Sequence, residues 1–196
     1  YTIGYFLGCA TDLINPSVAV SAVDVLTRNG CEVIIPPDMK CCGLPHIANG
    51  KMATARELAA HNVRVFSRYN FDYIITDCAS CSSAIGPKNM EFLLGGPLEK
   101  EAAMSFAEKT MDLTRFLVEK LDISVPAGAV QDLVKVTYHD PCHLANAQGI
   151  KNQPRELIRR IPGLQLVEMD LANRCCGGSG TFALTHYDLS MKVLDK

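Results

Sequence analysis

Eight of the nine cysteines in this 196-residue chain fall into a spaced pattern. Cys9 is followed after 31 residues by the adjacent pair Cys41-Cys42, and after 35 more by Cys78 and Cys81, with two residues between them. Further on come Cys142 and a second adjacent pair, Cys175-Cys176. Thiolates are ligands for soft metals and metal–sulfur cores. Adjacent cysteines rarely serve one tetrahedral ion, because their side chains diverge and the local chelate is strained. A core of several irons presents separated ligand positions and takes both, and cysteine thiolates are the usual ligands of such clusters.

Other uses of these thiols account for less of the pattern. A disulfide framework suits small secreted domains with poor cores, and it leaves one cysteine of nine unpaired. A thioredoxin-like dithiol at Cys78-Ala79-Ser80-Cys81 leaves Cys9 and the Cys41-Cys42 pair unexplained. Zinc is the more serious rival, since four thiolates of the first set satisfy its tetrahedral preference. Cys31 stands outside the pattern, inside an apolar run, and is expected to be a small core hydrophobe.

The elements that must position these residues read as alternating strands and helices. Thr2–Leu7 is a short apolar run ending at Gly8-Cys9. A helix follows, with Asn15 at its N-cap, Pro16 at its first position, one face formed by Val18, Ala22, Val25 and Leu26, and Gly30 closing it. Cys31–Pro36 reads as a buried strand leading to Cys41-Cys42-Gly43. Met52 to about Arg68 reads as a helix with Leu58, Asn62, Val65 and Phe66 near one stripe, and Asp72–Thr76 as a third strand. This order predicts an α/β fold with a mostly parallel sheet. In such sheets the loops at the carboxyl ends of the strands gather on one rim. Cys9, Cys41-Cys42 and Cys78/Cys81 each follow a strand, so the five should converge.

The pattern restarts at Val134–Tyr138, a strand running into His139-Asp140-Pro141-Cys142, then a helix over Pro154–Arg160, a strand over Leu164–Glu168, and Cys175-Cys176-Gly177. Cys9 to Cys142 is an offset of 133 residues, and each cysteine of the first pair lies 134 from its counterpart. The repeated order implies an internal duplication. Carried forward, the counterparts of Cys78 and Cys81 fall beyond Lys196, so the second site is expected to be cut off before its last ligands. The cysteine-free middle, Gly86–Ala129, holds Gly95-Gly96-Pro97, a helix-like Lys109–Leu121 and a Pro-Ala-Gly turn at 126–128, and reads as a connection. The expected domains are therefore residues 1–129, the first lobe plus connecting helices, and 130–196, a second lobe truncated at its C-terminus.

Gly8-Cys9, Cys41-Cys42-Gly43, Cys78-x-x-Cys81, His139-Asp140-Pro141-Cys142-His143 and Cys175-Cys176-Gly177-Gly178 together resemble the cysteine-rich CCG domain. That family includes cysteine-rich subunits of heterodisulfide reductase and of anaerobic glycerol-3-phosphate dehydrogenase, the iron–sulfur subunit of glycolate oxidase and a lactate-utilisation protein. The resemblance implies two pseudo-symmetric Rossmann-like lobes, each able to hold an iron–sulfur cluster of the 4Fe-4S class, with a non-cubane form described for heterodisulfide reductase. By position, Cys9, Cys41, Cys42, Cys78 and Cys81 would hold the first cluster, and Cys142, Cys175 and Cys176 would give three ligands of the second. It further implies an electron-transfer role, drawing electrons from a flavoprotein or a ferredoxin-type iron–sulfur partner and passing them toward quinone or another carrier. Two alternatives are a heterodisulfide reductase-like catalytic role, cleaving a disulfide at the cluster, and a zinc-stabilised assembly module.

Composition narrows the remaining classes. Apolar residues make up 48% of the chain and charged residues 20%, an ordinary globular balance. Net charge is −2 with the basic residues scattered, which argues against a nucleic-acid partner. No apolar run approaches the ~20 residues of a bilayer span, so membrane contact is expected only through a partner or the quinone acceptor. No secretory leader pattern is present, which in a chain that begins at Tyr1 says little about its parent; the expected place is cytoplasmic, free or peripheral on the inner face of the membrane. Tyr1 in place of Met suggests an excised or processed piece. His139 and His143 flank Cys142, where they ligate metal, donate a hydrogen bond to a cluster sulfur or simply cap the loop or the next helix; His46, four residues past Cys42, is expected to support the first site without coordinating. His61 and His186 fall in predicted helices as ordinary residues. Gly177–Gly180 lacks the lysine of a phosphate-binding loop.

Overall fold

A computed structural model describes residues 1–123, 125, 132–178 and 180–195. The chain divides into two units, Tyr1–Ser124 and Val125–Lys196.

The first unit runs β1 (Thr2–Tyr5), α1 (Cys9–Leu13), α2 (Pro16–Arg28), β2 (Glu32–Ile34), α3 (Leu44–Ala48), α4 (Met52–Phe66), β3 (Tyr73–Thr76), α5 (Ala79–Ala84), α6 (Pro87–Leu94), α7 (Lys100–Glu108), β4 (Thr110–Asp112) and α8 (Leu113–Phe116). A π-turn over Leu117–Leu121 follows. Its four strands are all parallel, in the order β2-β1-β3-β4. The chain steps from β1 to one side and returns to the other, so the strand order reverses beside β1. In open parallel sheets that reversal opens a crevice at the carboxyl ends of the strands.

Local sequence explains the elements that frame this crevice. Pro16 opens α2, where a missing N–H costs nothing. Its end is a paired closure: the Gly30 N–H donates to Thr27 O at 3.0 Å and the Cys31 N–H to Leu26 O at 3.1 Å, with Gly30 at φ +78°. Asn15 occupies the N-cap without a side-chain capping bond. Helix α4 buries Ala55, Ala59, Asn62, Val63, Val65 and Phe66 against the sheet. Phe66 centres the core, with Phe6, Phe71 and Phe106 rings 5.4 to 5.8 Å away.

Two expectations for this unit are corrected. The Cys31–Pro36 strand is the sheet edge and only partly buried, because β2 has a neighbour on one side alone. The helix expected over Lys109–Leu121 begins instead as strand β4, and pairing with β3 decides its first three residues. The turn into α8 is made by Asp112, whose carboxylate accepts from the Thr114 N–H at 2.9 Å and the Arg115 N–H at 3.3 Å. Much of the supposed connection thus completes the first sheet. The expected turn at 126–128 and the 129/130 boundary lie outside the described residues.

The second unit contains β5 (Val134–Val136), α9 (Cys142–Ala145), α10 (Asn152–Arg160), β6 (Leu164–Leu166), α11 (Phe182–Thr185) and α12 (Tyr187–Leu194). β5 and β6 pair in parallel. Leu144, Ala145 and Ile150 are buried within it. His186 sits at the junction of α11 and α12 rather than inside a helix, its ring stacked on Phe182. Among the described residues, no helix is long and apolar enough to cross a membrane.

Candidate metal centre

All nine cysteines are free thiols. In the first unit, β1 delivers Cys9 as the opening residue of α1, the loop after β2 carries Cys41 and Cys42, and β3 delivers Cys78 at the N-cap of α5, with Cys81 one turn on. Gly8 shows how closely these loops approach. A Cβ placed there would lie 3.3 Å from Cys81 Sγ and 3.4 Å from Cys78 Cβ. A bare backbone therefore forms one wall of the site.

Cys41, Cys42, Cys81 and Cys78 lie near enough for each thiol to shift the proton affinity of the next. Bonds from Cys41 and then Cys81 pull the Cys42 thiol well below its usual range, despite its burial. The bond from Cys81 likewise lowers Cys78, to about 7. The donors move the other way: Cys41 is raised by its bond to Cys42 and by burial, and Cys81 by its bonds to Cys42 and Cys78 and by burial. Cys9 is close enough for its charge to act on Cys41. The loops after β1, β2 and β3 thus bring the five cysteines to neighbouring positions.

Burial is graded across the set. Cys9 is exposed, Cys41 and Cys78 are intermediate, and Cys42 and Cys81 are buried in the core at 5% and 4% exposure. Among the described residues, no three His, Cys, Asp or Glu side chains have the arrangement of a single-ion site. Cys31 is buried away from this chain of thiols, with its pKa raised by burial.

Each adjacent pair ends in the same turn. Gly43 (φ +84°) donates its N–H to Cys41 Sγ at 3.5 Å, and Gly177 (φ +72°) donates to Cys175 Sγ at 3.4 Å. A left-handed glycine lets the backbone fold back onto the sulfur. In the second unit the Gly178 N–H also reaches Cys176 Sγ at 3.4 Å. Cys142 opens α9 as Cys9 opens α1.

The loops carrying Cys142 and Cys175 are tied together. His139 Nε2 lies 2.8 Å from Arg174 O, and the Asp140 N–H donates to Ala172 O at 2.8 Å. Arg155 of α10 fixes the near loop through Asp140 and reaches Glu168 as well. Cys142, Cys175 and Cys176 are nevertheless all exposed. His46 lies half-buried in α3, just past the first pair. Sequence reasoning missed the side chains that hold these loops, among them Tyr5, Thr11, Asp77 and Arg155. Only the placement of Asn62 on a buried stripe hinted at such a role.

The CCG cysteine-rich domain model matches residues 3–86 and 136–196. The chain belongs to that family. Among CCG relatives, it is 33% identical over 193 residues to the probable glycolate oxidase iron–sulfur subunit of Bacillus subtilis, covering 98% of this chain and 43% of that protein. It is 36% identical over 179 residues to a subunit of the fumarate reductase (CoM/CoB) of Methanothermobacter marburgensis, covering 91% of this chain and 33% of that protein. Lactate utilization protein A of Geobacillus sp. (strain WCH70) is 32% identical over 195 residues, covering 99% of this chain and 79% of that protein. The chain thus spans less than half the length of the first two.

Proposed function

We propose that this chain is the cluster-bearing, electron-transfer part of a multi-subunit oxidoreductase. Cys9, Cys41, Cys42, Cys78 and Cys81 are assigned to one iron–sulfur cluster of the 4Fe-4S class, cubane or non-cubane. The observation that carries this is the placement of all five cysteines in the loops that follow three parallel strands, with Cys78 and Cys81 close against the Gly8 backbone. Bound there, a cluster supplies a carrier that takes up and releases single electrons. The protein's part is to present the thiols, exclude water from Cys42 and Cys81, and leave Cys9 at an edge that a partner can approach. Two relatives are named for glycolate and lactate, which supports a 2-hydroxy acid as the substrate of the whole assembly; with it go a flavoprotein or ferredoxin-type partner as donor and quinone or another carrier as acceptor.

Cys142, Cys175 and Cys176 are assigned as three ligands of a second cluster. The tied loops and the repeated glycine turn support this. So does the parallel pairing of β1 with β2 and of β5 with β6, in which Thr2/Glu32 and Val134/Leu164 open the two registers. These parallels favour an internal duplication.

A second reading has a specific observation behind it. Cys9 is exposed beside the Cys41-Cys42 pair, and one relative belongs to a CoM/CoB fumarate reductase. A sulfur substrate could therefore react at the cluster itself.

Anaerobic reconstitution with iron and acid-labile sulfide analysis and electron paramagnetic resonance tests the assignment. Iron and sulfide in comparable amounts, with a signal lost in Cys41→Ser or Cys42→Ser, are expected. Stoichiometric zinc without sulfide in protein prepared without oxygen would overturn it. Steady reduction of a disulfide substrate to two thiols by the loaded chain, with a reduced viologen dye as the only electron donor, would select the second reading.

A further inference from the structure

Asn62 sits on the buried face of α4 and is wholly inaccessible. Helix packing alone asks for no amide there. Asparagine is a weaker helix former than alanine, and a carboxamide in a core is costly unless its polar atoms find partners. They do, all on one short stretch of loop. Oδ1 accepts from the Lys40 N–H at 2.8 Å, and Nδ2 donates to Lys40 O and Cys41 O at 3.1 Å each.

Two other side chains reach the same loop. His61 Nε2 lies 2.7 Å from Asp38 O, and Arg68 Nη1 pairs with Asp38 at 3.1 Å. Both contacts are exposed, and an exposed ion pair holds little. Of the three, Asn62 alone is buried and alone touches Cys41.

We propose that Asn62 is a positioning residue for the metal centre, clasping the Lys40 and Cys41 backbone so that the Cys41 and Cys42 thiols are presented together. This rests on the assignment of that pair as cluster ligands. Consecutive side chains diverge, so the direction of both thiols depends on the peptides around them. The amide clasp fixes the chain before the pair, and Gly43, left-handed and bonded to Cys41 Sγ, fixes it behind. Being neutral, the clasp acts through geometry rather than charge.

Two variants separate this role from general support of the fold. Asn62→Leu removes all three bonds at similar size, whereas Asn62→Asp keeps an acceptor for the Lys40 N–H and loses both donors. Wild type and variants are reconstituted anaerobically, then compared for resonance spectrum, midpoint potential and rate of cluster loss to excess chelator. Thermal melting and amide exchange of the metal-free chains are followed in parallel.

Both variants are expected to load, to show altered g-values, and to lose the cluster at least ten-fold faster. Exchange at Lys40 should rise at least ten-fold in Asn62→Leu. A variant that melts lower but matches wild type in spectrum, potential and loss rate would overturn the proposal. If Asn62→Leu does not fold, Asn62→Asp decides it by the same readouts. A wild-type chain that takes up no iron or sulfide overturns the cluster assignment instead, and amide exchange at Lys40 in the metal-free chains then decides whether the clasp exists.

Discussion

The Tyr5 hydroxyl donates to Asp77 Oδ1 across 2.8 Å, joining the end of β1 to the residue just before Cys78. The other carboxylate oxygen accepts from Thr11 Oγ1 at 2.7 Å, in the helix that Cys9 opens. One carboxylate thus ties the Cys9 loop to the Cys78 loop. Burial, followed by the Asp77 charge, pushes the Tyr5 hydroxyl far above its usual range, so it remains a donor.

Asp77→Asn should weaken this tie in two ways. Hydrogen bonds to a charged group contribute about 1.5 to 3 kcal/mol, and an amide turned toward two hydroxyl donors keeps only part of that. We expect a loss of about 2 kcal/mol in denaturant unfolding. Removing a negative charge beside the cluster should also raise its reduction potential, because the carboxylate favours the less negative, oxidised form. An unchanged potential in a folded variant would place Asp77 out of electrostatic reach.

Arg155 holds Asp140 through a two-pronged contact, Nη1 to Oδ1 at 2.6 Å and Nη2 to Oδ2 at 3.0 Å. Those bonds hold the Asp140 carboxyl below the usual carboxylate range, against the effect of its burial. The group's folded pKa is therefore below its unfolded value of about 3.9. Its stabilising contribution is complete above that value and is lost as pH falls through the lower folded value. Asp140→Asn should cost about 1.5 to 3 kcal/mol at neutral pH, the worth of hydrogen bonds to a charged group, since Arg155 keeps Glu168 as a partner. It should also flatten the acid limb of the stability curve below about pH 4, which urea titrations across that range would show.

The two glycine turns should respond unequally to a methyl group. A left-handed alanine costs roughly 1 to 2 kcal/mol. At Gly43 the nearest atom to the new Cβ is Ala55 Cα at 3.6 Å, so Gly43→Ala should cost that strain alone. At Gly177 the Cβ would meet Ser190 O at 2.6 Å, so Gly177→Ala must also displace α12 and should cost clearly more. Equal losses in chemical unfolding would mean that α12 yields freely.

Cys31 offers the contrast to the rim thiols. It is 6% exposed and holds no place in the thiol chain. Cys31→Ala should cost about 1 kcal/mol, near the centre of ordinary core substitutions, and leave iron and sulfide content unchanged. Cys81→Ala, at similar burial, should abolish loading. Loss of iron in the Cys31 variant would bring that thiol into the site.

Much of this architecture could be read from the chain's punctuation. Pro16 and Gly30 bracket α2 because each acts through its own backbone, and the alternation of short apolar runs with helices carried the parallel sheet. What escaped notice depends on distant partners. Thr110-Met111-Asp112 is a strand only because β3 lies beside it. Cys9–Leu13, Leu44–Ala48 and Ala79–Ala84 are helices of one turn or little more, too short to show a period. Spacing placed five cysteines after three strands, yet it could not show that Cys42 and Cys81 are buried while Cys9 is exposed. Asn62 was visible as part of a helix stripe, but not the loop 22 residues earlier that it holds.

The bare wall at Gly8 gives the centre an inside and an outside. With Cys81 and Cys78 pressed against that backbone and Cys9 facing solvent, the thiols form a ramp from surface to core. A cluster held as proposed would have Cys9 at its solvent edge and Cys81 at its deepest point, so chelators and electron partners alike would reach it from the Cys9 side. A methyl group at position 8 would lie 3.3 Å from Cys81 Sγ and so crowd the deep end alone.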